Sequence, residues 1–177
     1  MKFSQTIFPE VFYIELKSNL DDRGSFTRLF CKKTLKKFKI NFEVAQISFA
    51  SNALKHTLRG MHFQEKPMEE QKFVFCLKGS IWDVIMDVRH KSNTYGKWFS
   101  LELSEKKQNC IYIPSGFAHG YLTLSKNTKV LYMMDKDYNP QLSKGVNWND
   151  PEVNIKWPKV PLKISAKDRA LPMLNDL

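Results

Sequence analysis

Chemistry concentrates in Leu58-Arg59-Gly60-Met61-His62-Phe63-Gln64, where a cation, a glycine, a histidine and an amide fall within six residues. An imidazole titrates close to neutral pH, so His62 is a candidate base for a weakly acidic proton. Arg59 offers a planar fork of donors suited to phosphate, so it reads as a phosphate clamp. The same residues would equally make an ordinary strand whose histidine is a hydrogen-bonded core residue. Their spacing sets a geometric problem, because residues three apart point to opposite faces of a flat strand. Twist, a bulge near Gly60 or the reach of the arginine must bring both to one pocket.

The elements around this stretch are mostly strands. Residues 7–16 alternate well enough for a strand with Pro9 near its edge, and Asp21-Asp22-Arg23-Gly24 reads as a turn. Residues 25–30 then resume an extended pattern. In Lys32-Lys33-Thr34-Leu35-Lys36-Lys37-Phe38-Lys39, Cys31, Leu35 and Phe38 share helical spacing, so a short helix is expected with its lysines on the solvated face. From Val44 onward, β-branched and aromatic runs recur at 44–49, 58–63, 73–77, 81–88, 98–103, 110–113, 121–124 and 130–134. Turn signals such as Lys78-Gly79 and Pro114-Ser115-Gly116 separate them. Many short strands with little helix between them indicate an all-β sandwich or jelly roll. Residues 135–177 hold five of the eight prolines and should form a wrapping tail with a short helix. No repeat or linker divides residues 1–177, so one domain is expected.

Composition limits the partners. A chain of 177 residues buries about 70% of its unfolded surface and needs no staple. Its 42% apolar content is globular usage. Three widely spaced cysteines, Cys31, Cys76 and Cys110, and no secretory pattern at Met1–Thr6 point to reduced thiols and a cytoplasmic setting. No apolar run approaches the roughly 18 residues of a membrane helix, so no membrane partner is expected. A formal charge of +10 favours anionic partners without choosing among them. No zinc-finger spacing, helix-turn-helix pattern or RNP-like aromatic motif accompanies it, which argues against nucleic acid.

Six blocks, the Leu58 to Gln64 stretch among them, carry a resemblance when read in order. They are Asp22-Arg23-Gly24-Ser25-Phe26, Leu58 to Gln64, Lys78-Gly79-Ser80-Ile81-Trp82-Asp83-Val84, Ser92-Asn93-Thr94-Tyr95-Gly96-Lys97-Trp98, Ile113 to Gly120, and Trp148-Asn149-Asp150-Pro151. The series resembles the dTDP-4-dehydrorhamnose 3,5-epimerase family from about Ile7 to the last ten residues. The resemblance implies a cupin jelly roll, a homodimer, no metal or other cofactor, and a nucleotide-diphosphate-linked 4-keto-6-deoxy sugar as substrate. The product would be an activated deoxysugar for a surface polysaccharide such as capsule.

Protons on carbons flanking a ketone are acidic because an enolate is left behind. Inverting such a carbon needs a base on one face, a donor at the ketone oxygen and an acid on the other face. By the resemblance, His62 is the base, Lys72 faces the enolate oxygen, Tyr132 is the acid and Asp168 orients the imidazole. Without it, Lys72 would read as an exposed ion-pair member after Glu69 and Glu70, Tyr132 as a core tyrosine and Asp168 as a solvated tail residue. Arg59 and Arg23 are expected on the diphosphate, His119 on the pocket wall or phosphate side, and Tyr138 against the sugar and nucleotide. Phe26, Arg28 and Gln46 complete the expected binding set. The N-terminal strand region would cross to the partner subunit, carrying Arg23, Phe26 and Arg28 to its pocket. A metal-binding cupin would add a histidine two residues after His62 and a nearby glutamate, and this chain has Gln64.

Two departures from the family pattern bear on the substrate. Arg28 replaces a glutamate expected to read thymine, and Gln46-Ile47-Ser48-Phe49-Ala50 loses polar groups of a Gln-x-Asn-x-Ser segment. Both lead to the expectation of a GDP-linked sugar, possibly a heptose, over a dTDP-linked one. Inversion at C3, at C5 or at both is compatible with one base and one acid. A ketoisomerase and a non-catalytic sugar- or anion-binding jelly roll remain as alternatives.

Overall fold

The computed structural model describes residues 1–177, and thirteen short strands carry most of the regular structure. The chain opens with β1 (Lys2–Gln5), β2 (Phe12–Glu15), β3 (Ser18–Asp21) and β4 (Gly24–Thr27), then a short helix, α1 (Lys32–Lys36). Next come β5 (Gln46–Asn52), β6 (Leu58–Gln64), β7 (Lys72–Lys78), β8 (Ser80–Asp87) and β9 (Trp98–Ser104). The last strands are β10 (Asn109–Ile113), β11 (Phe117–Thr123), β12 (Thr128–Met134) and β13 (Ser143–Gly145), before α2 (Ala166–Arg169) and a 3-10 turn at Leu174–Asp176. They form antiparallel sheets ordered β1-β2-β10-β7-β12-β5 and β13-β6-β11-β8-β9, with β3-β4 as a separate hairpin. This is an all-β cupin jelly roll, as expected. No helix is long and apolar enough to cross a membrane.

Period-2 alternation decides what each sheet offers the other. In β7, Val74 and Cys76 join the inner core with Ile85, Ile111, Phe117 and Val130, while Phe73 and Phe75 pack on the outer face under Leu35 and Phe42. That strand is covered on both faces, which is why it reads as a continuous apolar run. On the other sheet, Met61, Val84, Met86 and Ala118 face outward and are covered by Val146, Val153, Ile155 and Leu174 of the tail. By the same alternation Lys72 shares the inner parity of Val74, and Tyr132 that of Val130. His119 and Tyr121 share that of Phe117. Towards one end of the sandwich, the positions that elsewhere hold core residues are polar.

Several boundaries differ from the sequence expectation. The single strand expected over 7–16 shortens to β2, because the segment around Pro9 turns, with Val11 N–H donating to the Phe8 carbonyl, and leads back to β1, which pairs with β2. The helix expected over 32–39 stops at Lys36 and ends in a turn, since Lys39 adopts φ 59°. Leu35 is its buried contact, while Phe38 stacks on Phe3 at 4.1 Å. The strand expected from 121 begins at Phe117. The wrapping tail contains an unexpected strand, β13, paired to β6.

One polar cluster stiffens the loop after β8. Asp87, with no exposed side-chain surface, accepts from Arg89 at 2.7 and 2.9 Å and from Ser92 and Thr94, each at 2.6 Å. Arg89 also lies 4.4 Å over the Phe117 ring. Burial raises the Asp87 pKa, but the bonds from Arg89, Ser92 and Thr94 outweigh it and bring the value down to about 2. A depressed carboxyl contributes stability above its unfolded pKa near 4 and loses it as pH falls through the folded value. Asp87→Asn should therefore cost about 2 kcal/mol at pH 6. It should also flatten the loss of stability between about pH 4 and 2. Urea unfolding across that range checks both, and an unchanged acid limb would contradict the assignment.

Candidate active site

A cleft of about 590 Å³ opens between the sheets and is lined by inner-face residues of β5, β6, β7, β11 and β12 together with the tail around Asp168. Its construction begins with the register of β6. His62 pairs with His119 of β11, and Arg59 pairs with Tyr121, so β6 takes three steps where β11 takes two. The extra residue is a β-bulge, and it answers the sidedness problem by returning Arg59 and His62 to the same cleft. Gly60 accommodates it at φ 110°. A Cβ there would lie 2.6 Å from both the Gly120 Cα and the His119 carbonyl oxygen, so no other residue fits.

The bulge also supplies a bond. Asp168 Oδ1 lies 2.8 Å from His62 Nε2, while its Oδ2 accepts the Gly60 N–H at 3.3 Å. Ser165 caps α2 by accepting the Asp168 N–H at 3.0 Å, which fixes the carboxylate's backbone. Burial raises the Asp168 pKa, but the His62 hydrogen bond and charge and the Gly60 N–H bring it below the ordinary value. An ionised carboxylate can only accept, so Nε2 of a neutral His62 carries the hydrogen and Nδ1 keeps a free lone pair. The His62 side chain is 39% exposed, so that lone pair is accessible from the cleft.

Lys72 is no exposed surface residue. Its Nζ lies 2.6 Å from Glu70 Oε1 with the two side chains 6% and 10% exposed, and both line the cleft. Tyr132 stands on the opposite sheet from His62. Burial pushes its phenol well above the ordinary pKa, Tyr121 and Asp83 push the same way, and Arg59 pulls down. His119 is committed to Asp83, with Nε2 2.7 Å from Oδ2, and its ring meets Tyr132 edge-on at 6.1 Å. Asp83 is fully buried, which raises its pKa against the pull of His119. Arg59 donates through Nε to Asn52 at 2.9 Å, leaving its terminal nitrogens for a ligand.

Gln46 lines the cleft and donates to the Lys136 carbonyl at 2.8 Å. Tyr138, largely exposed at the rim, lies 3.4 Å from Lys167 Nζ, and its pKa is lowered by Ser143 and Lys167. Three expected binding residues do not line this cleft. Arg23 pairs with Asp21 at 2.6 Å in the β3-β4 hairpin, Phe26 of that hairpin is 71% exposed, and Arg28 is exposed just beyond it. Sequence reasoning overlooked Glu70, Asn52, Tyr121, Asp83 and Lys167. Parity was the available signal for three of them: Glu70 is two residues before Lys72, Tyr121 two after His119, and Asn52 in phase with Gln46.

Fold and cleft together define a cupin enzyme equipped to move protons on a sugar-sized ligand. The family model described as dTDP-4-dehydrorhamnose 3,5-epimerase matches residues 5–176, and the chain belongs to this family of isomerases. The dTDP-4-dehydrorhamnose 3,5-epimerase of Sinorhizobium fredii is 36% identical over 178 residues, covering 100% of this chain and 91% of the relative. A crystal structure of the Bacillus anthracis enzyme with TDP and PPi bound is 37% identical, with a TM-score of 0.93 over 97% of this chain and 98% of that one. The Legionella pneumophila dTDP-6-deoxy-D-glucose-3,5-epimerase in complex with dTDP-4-keto-L-rhamnose is 32% identical, with a TM-score of 0.92 over 98% and 93% of the chains. The two solved structures hold TDP and a dTDP-linked keto sugar, so the expected preference for a GDP-linked sugar or heptose finds no support.

Replacing Gly60 by alanine should drive the Cβ into the Gly120 backbone and cost about 2–3 kcal/mol. The melting temperature should fall by about 5–10 °C. Calorimetry checks this, and a melting temperature unchanged in Gly60→Ala would show that the bulge yields without strain.

Proposed function

We propose that the protein epimerises a dTDP-linked 4-keto-6-deoxy sugar at carbons flanking the ketone, without a metal or other cofactor. One observation carries the reading: a carboxylate-held imidazole on one sheet and a phenol on the other face the same cleft. A sugar ring lying between them meets a base on one face and an acid on the other.

His62 Nδ1 removes the proton α to the ketone. Asp168 holds the ring in the tautomer that leaves Nδ1 free and stabilises the imidazolium formed. Lys72 places its ammonium at the ketone oxygen, where charge develops as the C–H bond breaks; removing one such donor typically costs about 10²–10³ in rate. Glu70 takes one of the three Lys72 hydrogens and leaves others for the enolate. Tyr132 returns a proton to the opposite face, inverting the carbon. His119, held by Asp83, forms the wall beside Tyr132.

The terminal nitrogens of Arg59 bind the diphosphate, Gln46 contacts the nucleotide side of the ligand, and Tyr138 lies against the nucleotide with Lys167 beside it. In a homodimer the β3-β4 hairpin, which presents exposed Leu20 and Phe26, reaches the partner's cleft and takes Arg23 and Arg28 with it. Arg28 then bears on the base site of the partner's cleft rather than on that of its own chain. The dTDP ligand rests on the family's named substrates.

In deuterated water a dTDP-linked 4-keto-6-deoxy sugar should gain solvent deuterium at two carbons flanking the ketone. Label at one carbon indicates a single-site epimerase, a displaced carbonyl a ketoisomerase, and no label on any 4-keto sugar a binder. His62→Asn should lower exchange by about 10²–10⁴-fold. Tyr132→Phe should keep some exchange and lose inverted product; normal epimerisation by His62→Asn would remove His62 as the base. The matched comparison of nucleotides is turnover of dTDP- and GDP-linked 4-keto sugars, with higher kcat/KM expected for dTDP. Preference for GDP would overturn the nucleotide assignment.

A further inference from the structure

Arg59 is an exposed residue, yet its guanidinium is tethered: Nε donates to Asn52 Oδ1 at 2.9 Å. Asn52 is the last residue of β5 and is only 3% exposed. Gln46, Ser48 and Ala50 line the cleft along that strand, and Asn52 continues their parity to a buried position that does not itself line the cleft. Its amide is fixed at both ends. Nδ2 lies 3.2 Å from Tyr121 Oη, 3.3 Å from the Thr128 carbonyl and 3.4 Å from the Ala50 carbonyl, and Oδ1 lies 3.3 Å from Tyr121 Oη. A guanidinium only donates and a backbone carbonyl only accepts, so Oδ1 must face Arg59 and Nδ2 must face Thr128. A flipped amide would lose both bonds.

Two other arginines are held through Nε, and they differ from Arg59 in one respect. Arg89 Nε donates to Asp87 at 2.9 Å and Arg23 Nε to Asp21 at 3.3 Å, and in each case a terminal nitrogen binds the same carboxylate. Those guanidiniums are neutralised by the group that positions them. Asn52 positions Arg59 without cancelling its charge and without occupying its terminal nitrogens.

We propose that Asn52 is a positioning residue for substrate binding, holding Arg59 through Nε so that the guanidinium presents its terminal nitrogens, at full charge, to a nucleoside diphosphate before that ligand arrives. The proposal rests on the nucleotide-sugar reading above. An exposed arginine held by nothing gives up side-chain freedom when it binds, and that loss lowers affinity. Here the freedom is already lost on folding. Paired bonds to phosphate also need the guanidinium plane in a set orientation, which the Nε bond provides. The diphosphate keeps its charge throughout epimerisation, so the gain is equal in the ground and transition states and acts on KM, not on kcat.

The test measures dTDP binding by titration calorimetry, and epimerisation kinetics, in the full-length wild type, Asn52→Ala, Arg59→Ala and the double variant. Asn52→Ala should weaken dTDP binding by about three- to tenfold, raise KM by a similar factor and leave kcat little changed. In the Arg59→Ala background the same substitution should have no further effect, because no guanidinium remains for Asn52 to hold. A packing role would weaken binding equally in both backgrounds. That result, or wild-type affinity in Asn52→Ala, would overturn the proposal. A second measurement needs no change at Asn52. In the ligand-free wild type the Arg59 Nε–H, assigned by NMR through its loss in Arg59→Lys, should exchange with water several-fold more slowly than that of exposed Arg169. Equal exchange of the two would overturn the proposal while leaving the nucleotide-sugar reading standing. A wild type that does not bind dTDP would instead remove that reading, and this proposal with it.

Discussion

The Gly60 backbone lies against Gly120 so closely that neither glycine has room for a side chain, and the cleft depends on that contact. It lets β6 carry one residue more than β11 between their paired positions. Without the extra residue, Arg59 and His62 would face opposite sides of the sheet, one towards the cleft and one towards the tail. The bulge also turns the Gly60 N–H to Asp168, which lies 108 residues away in sequence. One local insertion thus aligns the imidazole, its carboxylate and the guanidinium. The jelly roll supplies the frame, because its inner faces place alternate residues of five strands around one space.

Much of the frame was legible in the sequence. Short β-branched runs separated by Gly and Pro signals marked strands β6 to β10 and β12 to within a residue or two, since their cores are strongly apolar. The beginning of β11 was hidden because Phe117-Ala118-His119-Gly120 follows a turn signal and carries glycine, although all four residues are buried. β13 was hidden because three residues in a proline-rich tail have no periodicity to read. At the site, the types and order of His62, Lys72 and Tyr132 could be read, but their convergence could not. The Gly60 bulge was one of three devices anticipated for bringing Arg59 and His62 together. Asp168 illustrates the limit: a short polar tail gives no signal of burial, so the resemblance alone pointed to it, and its contact with His62 becomes visible only when α2 is seen docked beside β6. Arg23, Phe26 and Arg28 fall outside their own chain's cleft because the hairpin that carries them projects away from both sheets.

In the proposed reaction, the division of charges within the cleft suits enolate chemistry. At the reacting end each basic group has a carboxylate: His62 with Asp168, His119 with Asp83, and Lys72 with Glu70. At the binding end, Arg59 and Lys167 are met by neutral groups, the Asn52 amide and the Tyr138 phenol. Uncompensated cations favour a diphosphate in every state of the reaction, so they contribute to uniform binding and not to the chemical step. The paired ammonium of Lys72 behaves differently. Its charge is already balanced by Glu70, so it has little to gain from a neutral ketone and more to gain as the oxygen becomes negative. Its side chain is also held in place before the substrate arrives, so no reorganisation accompanies the charge development. An unpaired lysine at that position would attract the diphosphate itself and compete with Arg59 for it. The overall charge of +10 therefore says little about the reaction; the distinction between paired and unpaired cations says more.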